Sequence, residues 1–373
     1  MKRINVIVKP TDACNLRCKY CYNSSSHYSN EILSLERFAK LLKLLSASCD
    51  CISLIWHGGE PMMCGLEYFQ KVMELEEESF QNTNIPIENS IQTNGTLIDK
   101  HWISFFKKHS FKVGISFDGI HNESYRQQSE KTLQAIGLMQ KEKVPFGCIA
   151  VVADDNYDLL ENYRYFAEKQ LHFTFSPMFA EGNAVSLQPL SVEKYTEQCI
   201  QLFDHWLYDK SGVNIRLFSD CISMLLGSHT RTCSHGSCLG KWLSISADGV
   251  LSNCGRDTMK QFAFGTIDEM DDIAEAYHSD GFRQLLVGSI ARRKKCMESC
   301  PYFKYCEGGC TDIAILEGDI STPPAFNCFS FQKIFSHIEG KITQLMEEKV
   351  PLSELNPSMR IITIRCLADK KEE

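Results

Sequence analysis

"TDACNLRCKYCYN", residues 11–23, places Cys14, Cys18 and Cys21 in a C-x3-C-x2-C spacing just after the first apolar run, Ile4 to Val8. Three thiolates this close together call for a metal centre. A structural zinc site fills all four positions with protein ligands, commonly from paired C-x2-C elements. A four-iron cube needs one ligand per iron, so three cysteines leave one iron open to another molecule. On spacing alone, His27 remains available as a fourth ligand to zinc.

Outward from the triplet, apolar runs alternate with helical patterns. Strands are expected at Ile4–Val8, Ile52–Trp56, Ile87–Gln92, Val113–Phe117, Phe146–Val152 and Phe173–Pro177. Helices are expected at Ser34–Ala47, Gly65–Glu78, Leu97–His109, Lys131–Glu142 and Tyr157–Gln170. Six βα units with crossover-length connections build a parallel sheet, open or curled into a partial (β/α)6 barrel. Chemistry in such sheets sits at the C-terminal strand ends, where the triplet falls. Residues 1–190 are read as this barrel and 191–231 as a helical bridge. Residues 232–330 form a small cysteine-rich domain, and 331–373 a terminal helix (Phe329 to Glu348) with a strand-like tail at Arg360–Arg365.

The chain has 373 residues, 18 cysteines and a net charge of −8 with scattered Lys and Arg. That balance argues against a nucleic-acid partner held by a basic field. "MKRINVIVKP" is too short and too mixed for a signal peptide or a membrane span, so a cytoplasmic protein with no membrane partner is expected. Reduced thiols in that compartment turn the cysteines toward metal rather than disulfides.

The triplet, with Tyr20 just before its last cysteine, resembles the signature of radical S-adenosylmethionine (radical SAM) enzymes. "WHGGEP" (56–61), "QTNGTL" (92–97) and "SFDG" (116–119) resemble further motifs of that family, each on a successive strand. The resemblance implies a [4Fe-4S] cluster whose open iron binds S-adenosylmethionine. One-electron cleavage then gives a 5′-deoxyadenosyl radical that abstracts hydrogen from the substrate. It assigns Gly58, Gly59 and Glu60 to the methionine amino group, and Ser116 and Asp118 to ribose or carboxylate. Asn94 becomes a polar neighbour, Tyr20 lies near adenine, and Arg126 can reach the carboxylate. Turn formation explains Asn94, Ser116 and Asp118 equally well, and a solvated helix start explains Arg126. Glu60 could instead hold its turn. His57 is either an active-site acid or a satisfied polar residue.

In the second half, Cys238, Gly249, Cys254 and the knot "CMESCPYFKYCEGGC" (296–310) resemble the SPASM extension of peptide- and protein-modifying members. Zinc modules are the alternative. The resemblance implies two auxiliary [4Fe-4S] clusters, one on Cys233, Cys238, Cys254 and Cys310, the other on Cys296, Cys300, Cys306 and Cys328. The Cys296–Cys300 gap is one residue longer than the usual pattern. Cys49, Cys51, Cys64, Cys148, Cys199, Cys221 and Cys366 remain as small hydrophobes, with Cys64 placed for reactivity.

Two reactions fit this group. One is a maturase that crosslinks a ribosomally made precursor peptide through a thioether or carbon–carbon bond. The other is an anaerobic sulfatase maturase that makes formylglycine from Cys or Ser, which the chain's length and layout resemble. The latter enzymes place an Asp directly after the third cysteine of the extension, where this chain has Gly255, then Arg256 and Asp257. Deprotonating a thiol or hydroxyl needs a base in fixed geometry, which favours the crosslinking reading. Candidate bases are Asp257, Glu181 and His235. Expected partners are the peptide, a separate leader-binding protein, and a flavodoxin- or ferredoxin-type electron donor. A non-catalytic iron–sulfur electron carrier is a further alternative.

Overall fold

The fold is described from a computed structural model covering residues 3–23, 30–228, 233 and 238–363. Six parallel strands come first: β1 (Arg3–Thr11), β2 (Cys51–Gly58), β3 (Ile87–Thr93), β4 (Lys112–Ser116), β5 (Phe146–Val152) and β6 (Phe173–Pro177). They lie side by side in chain order. The helices between them are α1 (Leu35–Ser48), α2 (Leu66–Phe80), α3 (Lys100–Lys108), α4 (Asn122–Tyr125), α5 (Ser129–Lys141) and α6 (Leu159–Glu168). This is the α/β fold with a parallel sheet expected from the alternating pattern.

Local chemistry sets the boundaries. Ser34 accepts from the Arg37 N–H and caps α1, whose Phe38, Leu41, Leu42 and Leu45 bury one helical face. Asp99 accepts from the His101 and Trp102 N–H groups and starts α3 after Leu97, later than expected. Along β2, Ile52, Leu54 and Trp56 are buried under helices, while Ser53, Ile55 and His57 on the other face are half-buried. β3 repeats this, with Asn89, Ile91 and Thr93 buried and Ser90 and Gln92 half-buried. A parallel sheet covered on both faces is apolar throughout. Here the inner face is polar, as suits a curled sheet around a ligand-accessible lumen.

The second half extends this sheet. β7 (Trp242–Ile245) pairs parallel with β1 on its free edge, followed by antiparallel β8 (Val250–Ser252) and β9 (Gly265–Thr266). Before them come α7 (Val192–Trp206) and α8 (Arg216–Leu225). After them come α9 (Asp280–Ser299), α10 (Phe303–Cys306), α11 (Thr311–Leu316) and α12 (Ala325–Glu347). α12 returns to α7, where Phe326 meets Tyr195 and His337 pairs with Asp204 at 2.7 Å.

Two features depart from the sequence reading. The tail is helical over 357–363, not extended, and residues 364 and 365 lie outside the described residues. β-branched Ile361, Ile362 and Thr363 favour a strand by propensity. Buried Asn356 overrides it: its Nδ2 donates to the Trp206 carbonyl, its Oδ1 accepts from the Ser358 N–H, and Met359 and Ile362 turn inward together. α9 escaped sequence reading because its inner face buries Gly281, Gly288, Ser289 and Arg292 beside Leu285 and Cys296, which breaks up any apolar stripe. A Cβ on Gly288 would come within 2.4 Å of Ile320, so the small residues serve close packing. Among the described residues no helix is long and apolar enough to cross a membrane.

Candidate active site

β1 ends in a register shift between Val8 and Thr11, at Pro10, and the chain turns into the cysteine loop. The loop is held from the β2 end. Gly59 N–H donates to the Thr11 carbonyl at 3.0 Å, and Glu60 N–H to that of Ala13 at 2.8 Å. The approach is so close that a Cβ on Gly59 would lie 2.2 Å from Ala13 O. Both glycines of "GGE" therefore seat the loop that bears Cys14.

Glu60 is buried and ties three segments together. It accepts from Met62 N–H at 3.1 Å, Thr93 Oγ1 at 2.8 Å and Asn94 N–H at 2.7 Å. Burial pushes its pKa up, while these bonds pull it down. Its carboxylate holds the turn. Asn94 donates to Asn15 Oδ1 at 2.8 Å and so reaches the same loop from β3.

Cys14, Cys18 and Cys21 share one neighbourhood, and burial pushes all three thiols up. Arg126, the cation common to their surroundings, pulls all three back down. It ends α4 and donates to Tyr20 Oη at 2.9 Å. Tyr20 in turn donates to Asp118, whose other carboxylate oxygen accepts from Val151 N–H at 2.9 Å. Arg126 is thus turned into the site, and both Asp118 oxygens are taken up in placing Tyr20 and the β5 end. Ser116 accepts from Gln92 Nε2 at 2.7 Å on the lumen face. Leu16, Cys18, Tyr20, Ala153, Met178 and Ala184 make a small apolar cluster over the ends of β5 and β6.

The lumen also holds Lys9, which the motifs did not mark, and His57 of "WHGGEP". Lys9 is 3% exposed, ion-paired to Asp12 at 3.0 Å and bonded to Asn23 Oδ1 at 2.8 Å. His57 Nδ1 accepts from Gly58 N–H at 2.8 Å. Burial, then Lys9 and Arg256, lower its pKa from 6.5 to about 4, so it is neutral at pH 7. The unfolded chain protonates His57 as pH falls below 6.5, whereas the folded chain resists until about 4. Acidification through that window should therefore cost stability, by up to about 3 kcal/mol. Urea unfolding of wild type and His57→Gln at pH 7 and pH 4.5 should show the variant losing less on acidification.

The C-terminal cysteines fall into two sets. Cys233, Cys238, Cys254 and Cys310 lie within electrostatic reach of one another. Cys296, Cys300 and Cys306 are neighbours of Cys328. Buried Arg292 lies between the sets, close to Cys310 and Cys238 on one side and Cys296 and Cys306 on the other. Its Nε donates to Gly308 O at 2.9 Å and Nη2 to Thr311 Oγ1 at 2.8 Å. Four thiol donors per set, and three in the first loop, fit iron–sulfur ligation. Among the described residues no three His, Cys, Asp or Glu side chains converge tightly enough to hold a single ion.

Arg256, two residues after Cys254, bridges the halves. It donates to Glu181 at 2.8 Å, approaches Asp312 at 3.6 Å and covers the Tyr22 ring at 4.5 Å. Tyr22 feels both Cys21 and Cys254. Burial, with Asp312 nearby, raises the Glu181 pKa against the pull of Arg256. Asp257 pairs with Lys260 at 3.0 Å. Gly255 faces the lumen, where a Cβ would lie 3.0 Å from Ile7 and 3.5 Å from Lys9. His27, His235 and Cys366 lie outside the described residues. Cys64 closes a short 3-10 turn, and burial beside Glu60 pushes its thiol up to about 12, which removes thiolate character at neutral pH.

Sequence reasoning missed Arg256, Asp312, Tyr22 and Lys9 as site residues. A usable signal was present: opposite charges stand two residues after Cys254 and Cys310, at matching offsets.

Residues 8–166 match the family model of the Radical SAM superfamily. The cysteine-type anaerobic sulfatase-maturating enzyme of Clostridium perfringens (strain 13) is 29% identical over 364 residues, 90% of this chain and 96% of that one. The serine-type anaerobic sulfatase-maturating enzyme of Bacteroides thetaiotaomicron is 27% identical over 395 residues, 94% of each chain. The solved structure of native anSMEcpe with bound AdoMet and Cp18Cys peptide superposes with a TM-score of 0.79 at 28% identity, covering 93% of this chain and 99% of that one. Residues 8–166 carry the Radical SAM domain, and nearly the whole chain is similar to sulfatase-maturating enzymes.

Proposed function

We propose that this enzyme matures a peptide held in the polar lumen of the barrel, taking a hydrogen atom from one residue and closing a thioether or carbon–carbon bond within the same peptide. When bound, the cluster and S-adenosylmethionine supply the 5′-deoxyadenosyl radical that removes the hydrogen. Cys14, Cys18 and Cys21 would hold the cluster. Arg126 would meet the S-adenosylmethionine carboxylate, with Asn94 and Ser116 as polar neighbours. Tyr20 and Asp118 hold Arg126 toward the site, and Glu60 fixes the β2 and β3 ends. The quartets on Cys233, Cys238, Cys254 and Cys310 and on Cys296, Cys300, Cys306 and Cys328 would carry the auxiliary clusters.

The observation that carries the crosslinking reading is Gly255. The lumen wall after Cys254 offers Gly255 and Lys9 rather than a carboxylate, and Asp257 is engaged by Lys260. Crosslinking still sheds the nucleophile's proton and one electron; the proton would go to a base elsewhere in the lumen, with Glu181 the candidate, and the electron to an auxiliary cluster. Formylglycine formation is the second reading, favoured by the likeness to sulfatase-maturating enzymes along nearly the whole chain. In that case Glu181, buried with a raised pKa, is the candidate base.

The test is anaerobic incubation of reconstituted enzyme with S-adenosylmethionine, a reductant and candidate peptides. Deoxyadenosine is followed together with peptide mass and hydrazide labelling. Loss of two hydrogens with no hydrazide adduct supports crosslinking. A hydrazide-reactive aldehyde on Cys or Ser assigns the formylglycine reaction instead. Introducing Gly255→Asp should leave crosslinking no faster.

A further inference from the structure

The cysteine loop is held again from β6, the strand at the far edge of the sheet. After β6 the chain forms a short 3-10 turn, Gly182–Ser186. Asn183 in this turn donates twice to the loop. Its backbone N–H reaches the Cys21 carbonyl at 2.9 Å, and its side-chain Nδ2 the Cys18 carbonyl at 3.0 Å. The Cys18 carbonyl also takes the Cys21 N–H at 3.2 Å. Two of the three cysteines are thus tied to each other and to one residue 165 positions beyond Cys18.

The fit leaves no slack. Gly182 has a φ of +58°, in the left-handed region, and a Cβ on it would lie 2.4 Å from Cys21 O and 2.7 Å from Tyr22 O. Ala184, just after Asn183, is buried in the apolar cluster that contains Cys18 and Tyr20. Glu181, at the start of the turn, is buried and accepts from Arg256 at 2.8 Å. The turn is therefore anchored on both sides of Asn183. A turn-forming Asn bonds backbone next to itself. This amide passes its neighbours by and reaches the cysteine loop.

These contacts bear on charge. A four-iron cube becomes more negative when reduced, and its potential follows the hydrogen bonding and solvent exclusion around it. A donor on a ligating residue's carbonyl offsets the negative end of that carbonyl, and burial keeps such dipoles from being screened.

We infer that Asn183 is a positioning residue for the first cluster: its two donors fix the Cys18–Cys21 segment and so ease the uptake of one electron from a low-potential reductant. The inference rests on placing that cluster on Cys14, Cys18 and Cys21, and not on which bond the enzyme makes in its peptide.

The test poises reconstituted holoenzyme at one fixed potential with dithionite and redox mediators. EPR spectra are recorded with and without S-adenosylmethionine, and the signal that shifts on its addition reports the first cluster. Asn183→Ala should keep about twelve irons per chain while its ratio of reduced to oxidised first cluster falls about threefold or more. Asn183→Asp keeps the side chain's size and replaces the donor with an anion, so the ratio should fall about tenfold or more. A residue that only packs gives the reverse order, with the near-isosteric Asp the milder change. Val185→Ser, at a 68% exposed position of the same turn, should match wild type. Loss of the first cluster from both Asn183 variants, with about eight irons kept, is the stronger form of the expected result. Unchanged ratios in both variants overturn the proposal, and so does an Asp variant closer to wild type than the Ala variant. A wild type with no signal sensitive to S-adenosylmethionine removes the cluster assignment and the proposal together. The expected ratios in an enzyme that modifies no peptide sink the proposed function and leave Asn183 in its role.

Discussion

Gly59→Ala should strip the enzyme of its first cluster while leaving the other two. The backbone at Gly59 is not in the left-handed region, so alanine is conformationally acceptable there. The obstacle is contact: its Cβ would stand 2.2 Å from Ala13 O and 2.4 Å from Asp12 O. Both are backbone atoms of the chain leading into Cys14, and neither can rotate away. The loop must move, breaking the Gly59-to-Thr11 and Glu60-to-Ala13 hydrogen bonds that hold it. Iron content should fall from about twelve to about eight per chain, the ligand count of one cube. Deoxyadenosine formation should fall about 100-fold or more, on the order of 3 kcal/mol in the barrier. Gly137→Ala is the control, since a Cβ there meets nothing within 4 Å inside α5. It should keep full iron and gain a little stability from alanine's helix propensity. A fully loaded, fully active Gly59→Ala enzyme would show that the β2 loop does not position the cysteines.

Arg256→Met should destabilise the junction between the two halves. Arg256 faces two carboxylates that are almost fully buried, Glu181 and Asp312. Removing one partner of a buried pair costs more than the pair was worth, because the remaining charge has lost its compensation. Arg256 itself is a third exposed, so the low end of the usual range applies, about 3 kcal/mol in urea unfolding. Adding Asp312→Asn should recover part of that loss by removing one stranded charge. Arg256→Lys should not rescue fully, since one ammonium cannot take the place of Nη1 on Glu181 and Nε near Asp312 together. If the single variant unfolds like wild type, the Arg256 network is not what joins the halves.

Much of this molecule was legible in its residues. Alternating strands and amphipathic helices marked the six βα units. The spacing of Cys14, Cys18 and Cys21 pointed to an open-iron cluster before any geometry was known. "WHGGEP" at the end of β2 and the turns at Asn94 and Asp118 fell at the expected sheet edge. What stayed hidden depended on partners far away in the chain. Asp118 reads as a turn residue or a ligand contact, and only the neighbouring Tyr20 and Val151 N–H reveal that its oxygens are already committed. Ile361 to Thr363 reads as a strand until buried Asn356 fixes the chain against α7. Arg256, between Gly255 and Asp257, had no role assigned to it from sequence.

Sequence by itself therefore determined the kind of chemistry and the fold class, because ligand spacing and hydrophobic period are local properties of the chain. Tertiary structure alone decided that β7 joins the free edge of β1, that Arg126 and Arg256 turn inward toward thiols and carboxylates, and that Asn183 reaches back to the carbonyls of Cys18 and Cys21. The physical reason is that pairing, charge compensation and burial are set by groups brought together from distant positions, and no run of neighbouring residues encodes which ones will meet.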